Sequence, residues 1–523
     1  MHPDSGTKQL PLVQWIATGV IAVLAVAIIV AQPLYHDHAI YWRGGEVLLD
    51  GRTKLADDYL VKQPLIYLFF ALAKLLFGDH EWSYRLLDAL YQLGTASALA
   101  LVANRIGGAV LAATSAGAYL LVYSASAYVL AAHPESLAGL LLALLALGRM
   151  HPRNHWLDPA WEGLLLTALV WLKLTFLLVA PALLLFDIIE RRSAGQVAKE
   201  WAIALLAVFI SSAGGLLLLA NTIEWSSVPA ALEYLRFYGT QPPIGPAIVN
   251  AWHNLIRSAA ENFTITMTAL AGIGIGLLTR RANRNVVLWA LLSLAMSASI
   301  IIERKFGVVH LWRLLPCLTI PLAVGLLWTV RTMTTLWKSS FVTVRLTMLP
   351  LAGAAIAFSP IPRFLHSLAV PIYALTDTER YNDAYQRTAH NVLHRRTLWD
   401  IAGFIRSSDP TADRVLILSS CMSQLYVFLH QPQWHHFSTT MPIFAQHVPL
   451  RWRALYWQDI RRADWLVVST LDRAEPLFGH GRSSWESLYA DTASAHYVQA
   501  HFRVAMTTPI ARVLKRTVSD VSP

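Results

Sequence analysis

Apolar runs long enough to cross a bilayer, separated by short clusters of charge, organise this chain up to about residue 360. A spanning helix needs about 20 mostly apolar residues. The pattern predicts helices over 11–32, 84–103, 107–130, 136–149, 158–173, 174–189, 200–220, 262–280, 286–302, 311–330 and 345–358. That is about eleven spans, and up to about 13 if shorter apolar runs are counted. The first run, Pro11 to Ala31, is too long and too lightly flanked by charge for a cleaved leader, so it predicts a retained anchor. The run 64–78 differs. As a helix it would extend only about 22 Å, short of a hydrocarbon core of roughly 30 Å, so it predicts an interfacial helix in the first outer loop.

Beyond residue 360 the pattern changes. DRVLILSS (413–420) and ADWLVVST (463–470) predict short strands rich in Val, Ile and Leu. Asp400–Ser407 and Pro449–Arg461 predict helices between and around them. The expected organisation is a membrane region at 1–360, with its first outer loop at 33–83, and a soluble α/β domain at 361–523. Charge sets the orientation. With Lys8 inside, Arg105, Arg149, Arg153, Arg191, Arg192, Lys199, Arg280, Arg281, Arg284, Arg331 and Lys338 all fall on the cytoplasmic side. An odd number of spans then leaves the C-terminal domain outside.

Composition agrees. With 55% hydrophobic and 14% charged residues and a mean hydropathy of +0.45, the 523-residue chain is not a soluble enzyme. The net charge of +10 suits basic cytoplasmic loops better than a nucleic-acid partner. Cys317 and Cys421 stand in no metal-ligand spacing and are not expected to pair. Walker, dinucleotide-binding, zinc and nucleophile-elbow motifs are absent, which argues against nucleotide-driven transport and the corresponding hydrolases.

The densest chemistry lies at YHDHAIYWRGGEVLLDGRTKLADDYLVKQPLIYLFFALAKLLFG (35–78), which holds five acidic residues beside several basic ones. Asp37 and His38 open a helix expected over Ala39–Leu49, and Gly51 stops it. At that membrane exit Asp37 suits a general base, because partial burial raises a carboxylate's pKa. It also suits a helix N-cap, and the two roles are compatible. Asp57 and Asp58 read either as a second acidic site, placing an acceptor or a divalent ion, or as a solvated turn. Lys62 stands just before Gln63-Pro64, where Pro64 would start the interfacial helix. There it can meet a lipid phosphate or simply snorkel.

Three further features share the outer face. His133-Pro134-Glu135 suits a helix start. Lys173 and Thr175 interrupt the apolar VWLKLTFLL, and a lysine there is costly unless it snorkels or meets an anion. ERKFGVVHLWRLLP (303–316) sets Arg304, Lys305, His310 and Arg313 against Glu303 alone. Cations held outside against the usual charge bias point to a bound phosphate or pyrophosphate, or more weakly to lipid head groups.

Taken together, Asp37-His38-Ala39-Ile40-Tyr41-Trp42, Leu49-Asp50-Gly51, Asp58, Lys62-Gln63-Pro64-Leu65-Ile66-Tyr67, Phe77-Gly78 and Arg85-Leu86 resemble the GT-C membrane glycosyltransferases. The nearest branch holds the protein O-mannosyltransferases and the lipid A aminoarabinose transferase. The family has an acidic pair where this chain has Asp37-His38, and Lys-Pro-Pro where it has Lys62-Gln63-Pro64. The resemblance implies inverting transfer of a hexose or pentose from a polyprenyl-phosphate donor to a hydroxyl of a lipid, polysaccharide or protein acceptor. By it Asp37 is the catalytic carboxylate and Asp58 places the acceptor or a metal. Lys62, His310 and Arg313, with Lys173 and Arg304, hold the donor phosphate, and His38, Tyr41, His133 and Glu135 face the acceptor or sugar. No metal ligand set is assigned, although a divalent ion fits the family. The implied setting is the bacterial inner membrane, with membrane lipids as neighbours, the N-terminus cytoplasmic and the C-terminal domain periplasmic.

Two other classes compete. A transporter or flippase for lipid-linked envelope precursors would spread ionisable residues through the midplane, whereas here they gather on one face. A non-catalytic envelope assembly protein would not need Asp37 or Lys62. Acceptor choice is expected in the loop 221–261 and the outer domain. There Trp434, His435 and His436 suit either sugar stacking or an ordinary core.

Overall fold

The computed structural model describes residues 9–517 apart from 52, 127, 152–156, 191, 241–243, 262, 279–283, 305–307, 338–355, 358, 386–393, 432–433, 445–447 and 473–480. Contacts group the chain into two compact units, each assembled from separated segments. One holds Met1–Gln32, Trp82–Leu216 and Ile244–Ile372; the other holds Pro33–Glu81, Leu217–Pro243 and Tyr373–Pro523.

The first unit is helical. Its helices Gln9–Val30, Ser83–Gly107, Ala109–Ser124, Pro134–Met150, Leu157–Leu172, Val179–Ile189, Ala194–Leu219, Phe263–Leu278, Arg284–Glu303 and Leu315–Trp337 fall on the apolar runs. The run expected at 345–358 lies largely outside the described residues. Among the described residues five helices are long and apolar enough to cross a membrane: Leu12–Val30, Ser83–Gly107, Ala194–Leu219, Arg284–Glu303 and Val309–Trp337. The chain is built as an integral membrane protein.

Small residues and satisfied backbone groups hold this unit together, as an apolar solvent demands. An added Cβ at Gly272 would overlap the Pro321 carbonyl, and one at Gly325 would overlap that of Thr268, so two helices meet backbone to backbone. Pro321 lies inside its helix and cannot donate to the carbonyl four residues earlier. The Trp289 indole donates to that Cys317 carbonyl at 3.1 Å instead. Arg149 and Arg192, both expected at the cytoplasmic side, find acidic partners. Arg149 Nε donates to both Glu162 oxygens at 3.0 Å and its Nη1 pairs with Asp187, which also receives Arg192 at 3.1 Å and the Trp201 indole at 3.1 Å.

In the second unit, a parallel pair of strands, β1 (Val415–Leu418) and β2 (Trp465–Ser469), forms where the sequence predicts strands. Two further strands, β3 (Phe502–Thr507) and β4 (Ala511–Arg516), complete a sheet of order β1-β2-β4-β3, with β4 antiparallel to both neighbours. Side chains alternate across it. Leu416, Leu418, Leu466, Val468 and Leu514 pack with Trp452, Tyr456 and Ile460 of the helix Leu450–Arg462. Val415, Ile417, Trp465, Val467 and Val513 pack with Leu398, Ile401 and Ile405 of the helix Arg395–Ser408.

Pro33–Glu81, most of the expected first outer loop, belongs to this unit. Its helix starts at His36, with Tyr35 as N-cap, and ends at Asp50. The expectation that Asp37 caps it is therefore corrected: Asp37 sits in the first turn, where it meets the helix dipole. Gly51 ends the helix at φ 64°, a left-handed position suited to glycine. The second helix, Pro64–Phe77, begins with Pro64 as expected. The two pack closely because an added Cβ at Gly45 would lie 2.8 Å from the Ala71 amide nitrogen. Leu55 pairs with Ile223 by an isolated parallel bridge, through Leu55 N to the Thr222 carbonyl at 2.7 Å. Arg43 donates to the Gln431 carbonyl, and Arg395 grips Glu81 with two nitrogens.

Candidate functional site

Two polar centres emerge, one in each unit. In the second unit, the helix start at His36 sets Asp37 on the first turn with a quarter of its side chain exposed. His36 Nε2 lies 3.2 Å from Asp37 Oδ1. Burial lowers the His36 pKa, opposed by Asp37 and reinforced by Lys62, so the neutral ring is favoured beside the carboxylate. A neutral imidazole leaves the Asp37 charge uncancelled. Lys62 is exposed, with its ammonium 6.0 Å from the Tyr41 ring centroid, and among the described residues it joins no ion pair. Of the residues singled out from sequence, Asp37 and Lys62 act on His36, which sequence reasoning passed over in favour of its neighbour, and Lys62 also faces Tyr41. His38 is fully buried, with its ring 6.2 Å from that of Phe70 and near-parallel to it, so it belongs to the aromatic core.

The paired acids at 57–58 divide. Asp57 is buried at φ 50°, not solvated in an ordinary turn. Burial raises its pKa, while His436 and Arg451 pull it back. The Asp58 side chain lies outside the described residues, although its backbone is in the 3-10 turn Asp57–Val61. Trp434, His435 and His436 serve the domain core. His435 is buried and stacks 4.3 Å from Tyr426, and His436 Nδ1 pairs with Asp459 at 2.9 Å.

In the first unit the cations expected on the outer face meet two carboxylates. His133 is the N-cap of Pro134–Met150, its backbone nitrogen donating to Ser136 Oγ at 3.0 Å, and the next turn carries buried Glu135. Lys173 caps the turn that breaks the apolar pair Leu157–Leu172 and Val179–Ile189. Its ammonium lies 2.5 Å from Glu135, 2.8 Å from Glu303 and 3.1 Å from His310 Nδ1. Arg313 is wholly buried and donates to Glu303, Glu135 and Ser299. The count of several cations against Glu303 alone is therefore corrected: Glu135 is a second internal anion, brought in by another helix. Two cations and two carboxylates balance in formal charge, and Arg313 pairs with both acids. Arg304 stands apart at φ 55°, in no ion pair among the described residues, and Lys305 lies outside them.

Ligand atoms of Glu135, Glu303 and His310 lie within 4.8 Å of one another, a donor set suited to a divalent ion. The residues present do not fit one. Lys173 and Arg313 already occupy both Glu303 oxygens and Glu135 Oε1, and a metal bridging the two carboxylates would have to displace an ammonium.

Residues 61–214 match the family model described as dolichyl-phosphate-mannose-protein mannosyltransferase, a stretch that includes Lys62, His133, Glu135 and Lys173. Among solved structures, ArnT from Cupriavidus metallidurans bound to undecaprenyl phosphate superposes with a TM-score of 0.59 at 12% identity, covering 96% of this chain and 98% of that one. The fold is that of ArnT. The apo ArnT gives 0.52 at 14% identity over 98% of each chain. The Archaeoglobus fulgidus oligosaccharyltransferase, in complex with Zn and sulfate, gives 0.47 at 12% identity over 95% of this chain and 72% of that one. No curated protein sequence matches the chain. In this ArnT-like fold, the features that sequence reasoning missed are His36 and the pairing role of Glu135. An imidazole beside Asp37 was the available signal for the first, and only the fold supplies the second.

Proposed function

We propose that this chain is a membrane glycosyltransferase that moves a sugar from a polyprenyl-phosphate donor to an extracytoplasmic acceptor hydroxyl, with inversion. The observation that carries the reading is the centre around His36. It joins a partly exposed carboxylate, Asp37, to an exposed ammonium, Lys62, that among the described residues has no acidic partner. The likeness to a transferase solved with undecaprenyl phosphate supports the donor class, as does a family description naming dolichyl-phosphate-mannose.

In this reading Asp37 takes the proton of the acceptor hydroxyl as its oxygen attacks the anomeric carbon. The bond from that carbon to the phosphate oxygen breaks, and the polyprenyl phosphate departs carrying the bonding pair. Lys62 stabilises the charge that develops on it. A single displacement inverts the anomeric centre. Asp58 is assigned to acceptor placement. Lys173 and His310, both partly exposed, are assigned to the phosphate side, and Arg313 holds their carboxylate partners in place. The charge bias of the loops supports an inner-membrane setting with the N-terminus cytoplasmic. The test is transfer from radiolabelled polyprenyl-phosphate sugars by purified protein: wild-type rates from both Asp37→Asn and Lys62→Ala would refute the reading.

A further inference from the structure

A carboxylate inside a spanning helix is costly and is seldom kept without a use. Asp88 is such a group. It lies in the second turn of Ser83–Gly107, fully buried, remote in sequence from every residue of the ion cluster. Gln92 Nε2 donates to Asp88 Oδ1 at 2.9 Å, and the Tyr119 hydroxyl in turn donates to Gln92 Oε1 at 2.6 Å. The Tyr123 hydroxyl stands 3.0 Å from both Asp88 oxygens. Because an ionised carboxylate only accepts, Tyr123 must spend its single proton on Asp88. Its oxygen is then left as an acceptor, and the Ala132 backbone nitrogen donates to it at 3.2 Å.

That last bond falls at a backbone kink. Ala132 has φ 53°, a left-handed conformation that an alanine adopts only under constraint. The next residue is His133, the N-cap of the helix that carries Glu135. Arg85, one turn before Asp88, donates to the Tyr128 carbonyl at 3.2 Å and so holds the other side of the same loop. The Tyr123 ring also lies 6.3 Å from that of Trp312, the neighbour of Arg313. One buried network therefore touches the segments that deliver both Glu135 and Arg313.

We propose that Asp88 and Tyr123 are positioning residues: through the Ala132 kink they fix where Glu135 meets Lys173 and Arg313. The consequence for transfer rests on the function proposed above, whereas the consequence for the ion cluster does not.

The experiment uses the full chain in proteoliposomes, as wild type, Asp88→Asn, Tyr123→Phe, Glu135→Gln and the double variant Tyr123→Phe/Glu135→Gln, with Ser97→Ala as an exposed control on the same helix. One arm measures acylation of Lys173 by a small amine reagent, read by mass spectrometry. Tyr123→Phe and Asp88→Asn are expected to raise that rate about tenfold, as loss of one hydrogen bond's worth of order would, and Ser97→Ala to leave it unchanged. The other arm measures transfer. Tyr123→Phe should lower kcat with little change in the acceptor KM, and should add little once Glu135→Gln is present. Wild-type Lys173 labelling in both network variants overturns the inference, as does an equal loss of kcat from Tyr123→Phe with and without Glu135. If wild type transfers from no polyprenyl-phosphate donor, the proposed function fails and the labelling arm alone decides the positioning role.

Discussion

Arg313 and Glu303 meet as a two-pronged pair, Nη1 to Oε1 at 2.8 Å and Nη2 to Oε2 at 3.0 Å, with the arginine side chain fully enclosed. Removing one partner unbalances the buried cluster, leaving Arg313 only Glu135 or Glu303 only Lys173 and His310, at a cost of up to about 3–5 kcal/mol. Glu303→Gln and Arg313→Ala are each expected to lower the thermal unfolding midpoint sharply. Arg313→Lys should recover only part of the loss, since an ammonium cannot reproduce the fork. Unfolding of the detergent-solubilised protein checks this, and midpoints equal to wild type would show the pair to be dispensable.

Asp37 and Lys62 should separate kinetically. Asp37→Asn keeps the shape of the first helical turn but loses the proposed base, so kcat is expected to fall by about 10²–10⁴ with a small change in KM. Lys62→Ala removes an exposed ammonium, so the KM for the proposed lipid donor should rise while the fold is undisturbed. Steady-state assays over donor and acceptor concentration distinguish the two patterns.

The helix pair in the first outer loop tolerates no side chain at its contact. A Cβ at Gly45 would meet the Ala71 nitrogen at 2.8 Å and the Phe70 carbonyl carbon at 3.1 Å, both backbone atoms that cannot swing aside. Gly45→Ala is expected to cost about 1–3 kcal/mol by overpacking. Gly19→Ala, where nothing lies within 4 Å, should be neutral or mildly stabilising. Denaturation of the two variants side by side gives the comparison.

Neighbouring histidines should push stability in opposite directions with pH. The His436 pKa is raised above 6.5, chiefly by its hydrogen bond to Asp459, so its contribution is complete below that value and is lost as pH rises through the folded-state pKa. Burial drops His435 to about 3, so the unfolded chain takes up a proton the folded one refuses, and stability falls as pH drops from 6.5 toward that value. Relative to wild type, His436→Gln should lose more at about pH 5.5 than at about pH 8.5. His435→Phe, which keeps the stack on Tyr426, should flatten the acid-side loss. Equal losses from His436→Gln at both pH values would contradict the assignment.

Local signals carried much of the architecture. Apolar run length located the helices, Gly51 and Pro64 marked ends that the structure shows at the same residues, and the Val- and Leu-rich runs located β1 and β2. The strands β3 and β4 were not legible. Their Arg and Lys residues interrupt the apolar alternation, and four of the six β3 positions are exposed. In the same way, Asp37, Tyr41 and Lys62 share one short stretch and could be read together. Glu135 and Arg313 are 178 residues apart, and no spacing rule joins them. Only the packing of separate helices reveals that the outer-face cations carry their own counter-ions.

The second unit is threaded through the chain in three pieces, Pro33–Glu81, Leu217–Pro243 and Tyr373–Pro523. During synthesis the first piece leaves the ribosome long before the last. Arg43 must wait for the carbonyl of Gln431, and Glu81 for Arg395, 314 residues downstream. The first outer loop therefore cannot reach its final arrangement until translation is almost complete. A chain stopped short of residue 373 would hold the proposed catalytic carboxylate without the partners that shape its helix. Activity would be withheld from truncated products by the order of synthesis itself.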